Sequence, residues 1–165
     1  MSEICILYCL QKREMTIYTV RKTISDLFGA FTKPSHGTIH PALKNLYKNG
    51  YVNKRDELSE GGKKSSFYSI TDKGKKLFVE LMNQDLSSNP SVFLNEIKIR
   101  YSSLNMLNRD NQEQVKQVCL RALEIYILEN NRVLDDKYRG LDDFQREMII
   151  FTNQKAIELM NVLKG

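Results

Sequence analysis

The stretch from residue 33 to residue 76 constrains this chain most, because its punctuation allows few orders of elements. Pro34 precedes Ser35, whose hydroxyl suits a helix N-cap, and Gly50 stands where a left-handed C-terminal cap is wanted. Between them Ile39, Leu43, Leu46 and Tyr47 fall at helical spacing on one side. His36, His40, Lys44 and Lys48, each four residues from the next, form a second stripe that is polar and basic. Pro41 lies close enough to the helix start that the N–H it lacks has little partner to lose, so the helix is kept with an irregular first turn. Residues 51–55 and 66–70 are short runs with β-branched and aromatic side chains, joined by Ser59-Glu60-Gly61-Gly62-Lys63-Lys64-Ser65. They predict a hairpin whose glycines permit the turn and whose lysines project from it. Thr71 or Asp72 then caps a helix carrying Leu77, Phe78, Leu81 and Met82. Helix, two strands, helix is the order of a winged helix-turn-helix once a preceding helix is supplied.

The chain supplies it. Thr16 is the N-cap of a helix from Ile17 to Phe28, with Val20, Ile24, Leu27 and Phe28 inward and Arg21, Lys22 and Asp26 outward. Residues 1–10 are apolar nearly all round, which predicts a helix buried on more than one side. In a helix-turn-helix the first helix crosses the phosphate backbone and the second enters the major groove. Thr16 and Tyr18 are therefore candidate phosphate contacts. Lys33 stands just ahead of the second helix, where free N–H groups and the helix dipole favour a phosphate. Ser35, His36, Thr38, His40 and Lys44 are the candidate base readers. Each also has a plain structural reading, Ser35 as a cap and the histidines as surface residues. Gly62, Lys63 and Lys64 at the hairpin tip are candidates for the flanking phosphates or the minor groove.

Charge follows the same division. The net charge is +5, but residues 1–80 hold 14 Lys/Arg against 8 Asp/Glu, while residues 81–165 hold 11 against 12. The excess of positive charge thus lies in the half that holds the candidate readers. Composition, with 41% hydrophobic and 27% charged residues, is that of a soluble globular protein. No apolar run approaches the roughly 20 residues that span a bilayer, and no signal-peptide pattern opens the chain, so no membrane association and a cytoplasmic location are expected. Cys5, Cys9 and Cys119 lack paired spacing and read as buried apolar thiols in a reduced protein, with no metal and no cofactor. Enzymatic chemistry has little to stand on: a glycine-rich phosphate loop and a nucleophile elbow are absent, and the His36–His40 pair lacks the glutamate of a metalloprotease helix, having Gly37 instead.

The run Lys33-Pro34-Ser35-x-Gly37-Thr38-Ile39-x-Pro41-Ala42-Leu43-x-x-Leu46, continued by Gly50-Tyr51-Val52, Glu60-Gly61-Gly62, Tyr68-Ser69-Ile70-Thr71 and Gly74, resembles the PadR family of bacterial transcriptional regulators. The resemblance covers roughly the first half of the chain. It implies a homodimer that binds operator DNA through its winged helix, often represses, and in some members answers to a small molecule. Met15-Thr16-Ile17-Tyr18 replaces a more usual His-Gly-Tyr-like start to the second helix, and His40 replaces a tyrosine.

Leu86-Ser87-Ser88-Asn89-Pro90 breaks the fourth helix and predicts the boundary between a winged helix-turn-helix domain, 1–85, and a helical dimerisation region, 91–165. One helix of moderate length ends near Leu107, a longer one runs from about Asn111 to Tyr138, and Asp142 or Asp143 caps the last. Their apolar stripes are wider than a small winged domain covers, which predicts a twofold pair presenting two reading helices about 34 Å apart. Val115, Cys119, Ala122, Tyr126, Phe144, Met148 and Phe151 are the residues expected at that dimer seam. Phe93, Tyr101, Tyr126, Phe144 and Phe151 are candidates to line a cavity for a small aromatic effector, and core packing is the alternative reading of such a stripe. The fold expected is mainly α with a small β-hairpin, and the partners are double-stranded DNA, a second copy of the chain and such an effector. The competing reading is a winged-helix protein-interaction module without specific DNA binding.

Overall fold

Seven consecutive residues of the first helix, Ile4 to Leu10, are buried, and the N-terminal half is assembled round them. The computed structural model describes residues 1–33, 35–58 and 64–165, with His36 described in its backbone alone. Helix α1 spans Ser2–Lys12, strand β1 Met15–Thr16, α2 Ile17–Phe28, α3 His36–Lys48, β2 Val52–Leu58, β3 Lys64–Ile70 and α4 Asp72–Asn83. Because α1 packs against α2, α3, α4 and β3 together, it has no side left for polar residues. Tyr8 meets Phe28 edge-on, with ring centroids 5.2 Å apart.

Helix α2 starts where Thr16 accepts a hydrogen bond from the Thr19 N–H at 3.2 Å and buries Val20, Ile24 and Phe28. Leu27, expected inward, is exposed, because the helix turns a narrow fourfold stripe toward α1. Helix α3 likewise buries Ile39, Leu43 and Leu46, and Tyr47 falls outside that stripe into solvent. The Ser35 side chain makes no cap to the backbone; its hydroxyl shares a hydrogen bond with that of Thr38 at 3.0 Å.

The three strands form an antiparallel sheet in the order β1-β3-β2, with Met15 opposite Tyr68 and Thr16 opposite Phe67. The two-residue strand β1 is absent from the sequence reading. Beyond Val52 every residue of β2 is exposed, so this edge strand is held by its ladder and by charge rather than by a core. Ser66 donates to Asp56, the residue opposite it, at 2.6 Å. Arg55 lies over the Phe67 ring and pairs with Glu14 at 2.7 Å and Glu57 at 3.2 Å.

A tight corner joins α3 to α4. Gly50 takes a left-handed φ of 73°, which a side chain would strain. The Thr71 hydroxyl, 2.9 Å from the Gly50 carbonyl and 3.0 Å from that of Tyr51, faces both, and Lys73 Nζ donates to the Asn49 carbonyl at 3.0 Å. Gly74 brings α4 so close that a Cβ there would lie 2.1 Å from the Tyr51 carbonyl oxygen.

Beyond it come α5, Pro90–Ser102, a 3-10 turn at Leu104–Met106, α6, Arg109–Asp135, a second such turn at Lys137–Arg139, and α7, Asp143–Lys164. Asp142 forms a full capping box with Gln145 at the start of α7, which folds back on α6. Among the contacts between them, buried Asn153 accepts from Asn130 and donates to Asn131, both at 2.8 Å. The joint to the winged half is made by Arg100, 1% exposed, which donates to the carbonyls of Met82 at 3.1 Å, Gln84 at 2.6 Å and Asp85 at 3.4 Å, and pairs with Glu96 at 2.8 Å. Glu96 in turn accepts from the Ser87 N–H at 3.0 Å. Such a pair loses its hydration on burial and is tolerated because hydrogen bonds replace that water. No helix among the described residues is long and apolar enough to cross a membrane.

Candidate nucleic-acid interface

The burial of Ile39, Leu43 and Leu46 against the core fixes how α3 is rotated, and with it which residues it turns outward. Thr38, His40, Pro41, Lys44, Asn45 and Lys48 are exposed. Lys33 and Ser35 are exposed at the entrance to the same helix, and Tyr18 is exposed at the start of α2. A polar, basic surface thus runs from the start of α2 along α3. It carries cations without paired carboxylates of its own helix, since α3 holds no acidic residue.

Thr16 differs from its neighbours. It is half-buried, pairs in β1, accepts from the Thr19 N–H and lies 3.0 Å from the Thr19 hydroxyl, so its side chain is engaged in the fold. The hairpin tip lies outside the described residues, and with it Gly62 and Lys63; the His36 side chain does too. Lys64, the first residue of β3, is exposed and pairs with Asp56 at 2.9 Å. Lys54 approaches the same carboxylate at 3.2 Å. Ser66, Lys64 and Lys54 together hold the Asp56 carboxyl well below its ordinary range, so it stays charged at any physiological pH. This face of the hairpin therefore carries two cations and one anion. Sequence reading missed Lys54 and Asp56, which share strand β2; hairpin register brings Asp56 to Lys64 as well.

The seven residues expected at a dimer seam divide into three groups. Val115 and Cys119 are buried within the chain, because the first half of α6 lies against α4 and α5; neither is available to a partner. Ala122 and Tyr126 are half-buried, and Tyr126 stacks at a tilt on Phe93, centroids 4.9 Å apart. Phe144, Met148 and Phe151 are exposed on α7, Phe144 at 81%. Ile125, Leu128, Ile150 and Ile157 are exposed as well, so the second half of α6 and much of α7 present uncovered apolar surface. Of the five aromatic residues expected round one cavity, Phe93 and Tyr126 share a wall of one. Tyr101, Phe144 and Phe151 do not reach it.

The thiols are inert. Burial pushes Cys5 and Cys9 up to about 12 and Cys119 up to about 11. No group of His, Cys, Asp and Glu fit to hold a metal occurs among the described residues.

Residues 6–80 match the family described as "Transcriptional regulator PadR-like family". The negative transcriptional regulator PadR of Bacillus subtilis (strain 168) is 30% identical over 71 residues, which are 43% of this chain and 39% of that protein. Among solved structures, smu.1604c from Streptococcus mutans UA159 aligns over 98% of this chain and 95% of its own, at 24% identity and a TM-score of 0.49. B. subtilis PadR in complex with operator DNA aligns over 98% and 93%, at 16% identity and a TM-score of 0.49.

Proposed function

Residues 6–80 being a PadR-like transcriptional-regulator domain, we propose that this chain represses transcription by binding a pseudo-palindromic operator as a homodimer, tuned by a small effector. The observation that carries the reading is the rotation of α3: three apolar residues are buried and an acid-free polar face is left to solvent. In a duplex groove that face meets base edges, with Thr38, His40 and Lys44 as readers and Ser35 and His36 at the helix entrance. Lys33 and Tyr18 meet phosphates. Gly62, Lys63 and Lys64 serve the wing, and Thr16 acts through the placement of α2. Repression is supported by the B. subtilis relative, itself a negative transcriptional regulator.

Residues 1–85 form the DNA-binding unit and 91–165 the dimerisation region, divided at the break between α4 and α5. The uncovered apolar surface of α7, with Phe144, Met148 and Phe151, supports pairing with a second copy, with Ala122 and Tyr126 at its margin. A twofold pair matches two half-sites one helical turn apart.

Selecting bound duplexes from a random pool at two salt concentrations tests the reading. The expected product is an inverted repeat with half-sites about 34 Å apart. Lys44→Ala alters preference at one base position by about 1–3 kcal/mol, whereas Lys64→Ala weakens all sequences alike and flattens the salt dependence. An unenriched pool at low salt, or a site with a single half, refutes it. The competing reading, a protein-interaction module, requires the first of these results.

A further inference from the structure

The cavity between the α4–α5 connection and α6 has a chemistry that names its occupant. Its volume is about 300 Å³, the lower end of the range for small-molecule sites and suited to one or two fused rings. Phe93 and Tyr126 give it a wall of two tilted aromatic rings. Asp85 and Glu129 are the charged residues that line it, and both are acids. Among the described residues neither takes part in an ion pair, in contrast to Asp56 or Glu96. Arg100, which donates to the Asp85 carbonyl at 3.4 Å, is buried and neutralised by Glu96 at 2.8 Å.

From this we infer that the cavity binds a small aromatic cation. Aromatic faces attract a cation through their negative quadrupole, and carboxylates at the rim add Coulomb attraction. An aromatic carboxylate of the same size meets the same rings and two like charges. The inference rests on the effector-tuned part of the proposed function and gives that effector a class. Asp85, Leu86, Ser87 and Ser88 belong both to the lining and to the connection that Arg100 and Glu96 hold, so a bound molecule touches the joint between the two halves.

Two probes with one ring system and opposite charge provide the test: (2-naphthyl)methylammonium and 2-naphthoate, titrated calorimetrically into the full chain. The ammonium ion is expected to bind at least about tenfold tighter than the carboxylate, the ratio that roughly 1.4 kcal/mol of charge interaction provides. The double variant Asp85→Asn/Glu129→Gln, both positions exposed, is expected to bring the ratio to within about twofold, at unchanged thermal stability, by removing that interaction. Equal or tighter binding of naphthoate, failure of both probes to bind, or an unchanged ratio in the double variant overturns the inference. Duplex binding by the ligand-free chain is measured alongside. A chain that prefers the cation but binds no duplex upholds the site and refutes the regulator reading; one that binds duplex without preferring the cation refutes the site alone.

Discussion

Replacing Gly74 with alanine inserts one methyl group into space that is already filled. Its carbon would lie 2.1 Å from the Tyr51 carbonyl oxygen, 2.8 Å from Ile70 Cγ1 and 3.1 Å from the Tyr51 carbonyl carbon. Non-bonded heavy atoms rest at about 3.5–4.0 Å, so α4 and the turn after α3 have to part by on the order of 1 Å. That movement pulls on the Thr71 hydroxyl contacts with Gly50 and Tyr51, on the Thr71 N–H bond to the Tyr51 carbonyl and on the Lys73 bond to Asn49. Overpacking of this kind costs about 1–3 kcal/mol and each loosened hydrogen bond up to about 1 kcal/mol. The better helix propensity of alanine returns at most about 1 kcal/mol. A net loss of about 2–3 kcal/mol is expected, read from the urea midpoint of the helical circular-dichroism signal at unchanged slope. Gly37→Ala is the control: among the described residues its Cβ would meet nothing closer than Ser35 Oγ at 3.5 Å, and the variant should equal the parent or gain up to about 1 kcal/mol. If Gly74→Ala lost less than about 0.5 kcal/mol, or the two variants behaved alike, the corner between α3 and α4 would not be the close contact described.

Arg100→Met leaves Glu96 buried without its cation and should cost about 3–5 kcal/mol in denaturation, while Arg100→Met/Glu96→Leu should recover most of the loss. Asp56→Asn releases Lys54 and Lys64 from the carboxylate they share, so affinity for any duplex should rise and the salt dependence of binding should steepen by about one counterion. The thiols give a pH dependence. Burial holds Cys5 and Cys9 at about 12 and Cys119 at about 11 when folded, against about 8.5 in an unfolded chain. The folded chain keeps these protons while the unfolded chain releases them, so this contribution is intact below about pH 8.5 and stability falls as pH rises toward 12. Urea midpoints at neutral and alkaline pH, compared between the parent and Cys119→Ala, should show a smaller alkaline loss in the variant.

Helix ends were legible where the signal is local. Thr16, Thr71 and Asp142 each accept from a backbone N–H three residues on, and such caps can be seen in a few letters of sequence. The outward face of α3 was legible for the same reason, since periodicity separates Ile39, Leu43 and Leu46 from Thr38, His40 and Lys44. What escaped depends on contacts between distant segments. Glu96 and Arg100 stand four apart and look like a solvated helix pair; only the arrival of residues 82–87 buries them. Val115 and Cys119 share a stripe with Tyr126, yet α4 and α5 cover one end of α6 and not the other. Lys64 looked free because its partner, Asp56, is brought to it by hairpin register.

The way Arg100 holds the joint has a consequence for how this protein can change. Besides Glu96, its partners are carbonyl oxygens of residues 82, 84 and 85, groups that every amino acid supplies. The anchor therefore places no demand on the side chains at Gln84 and Asp85, and neighbouring Ser87 contributes an N–H that any residue but proline provides. Mutational drift can rewrite the chemistry of the adjoining cavity one letter at a time while the mechanical link between the halves stays as it is. A saturation library across these positions, sorted for folding, should accept nearly any substitution there and almost none at residues 96 and 100.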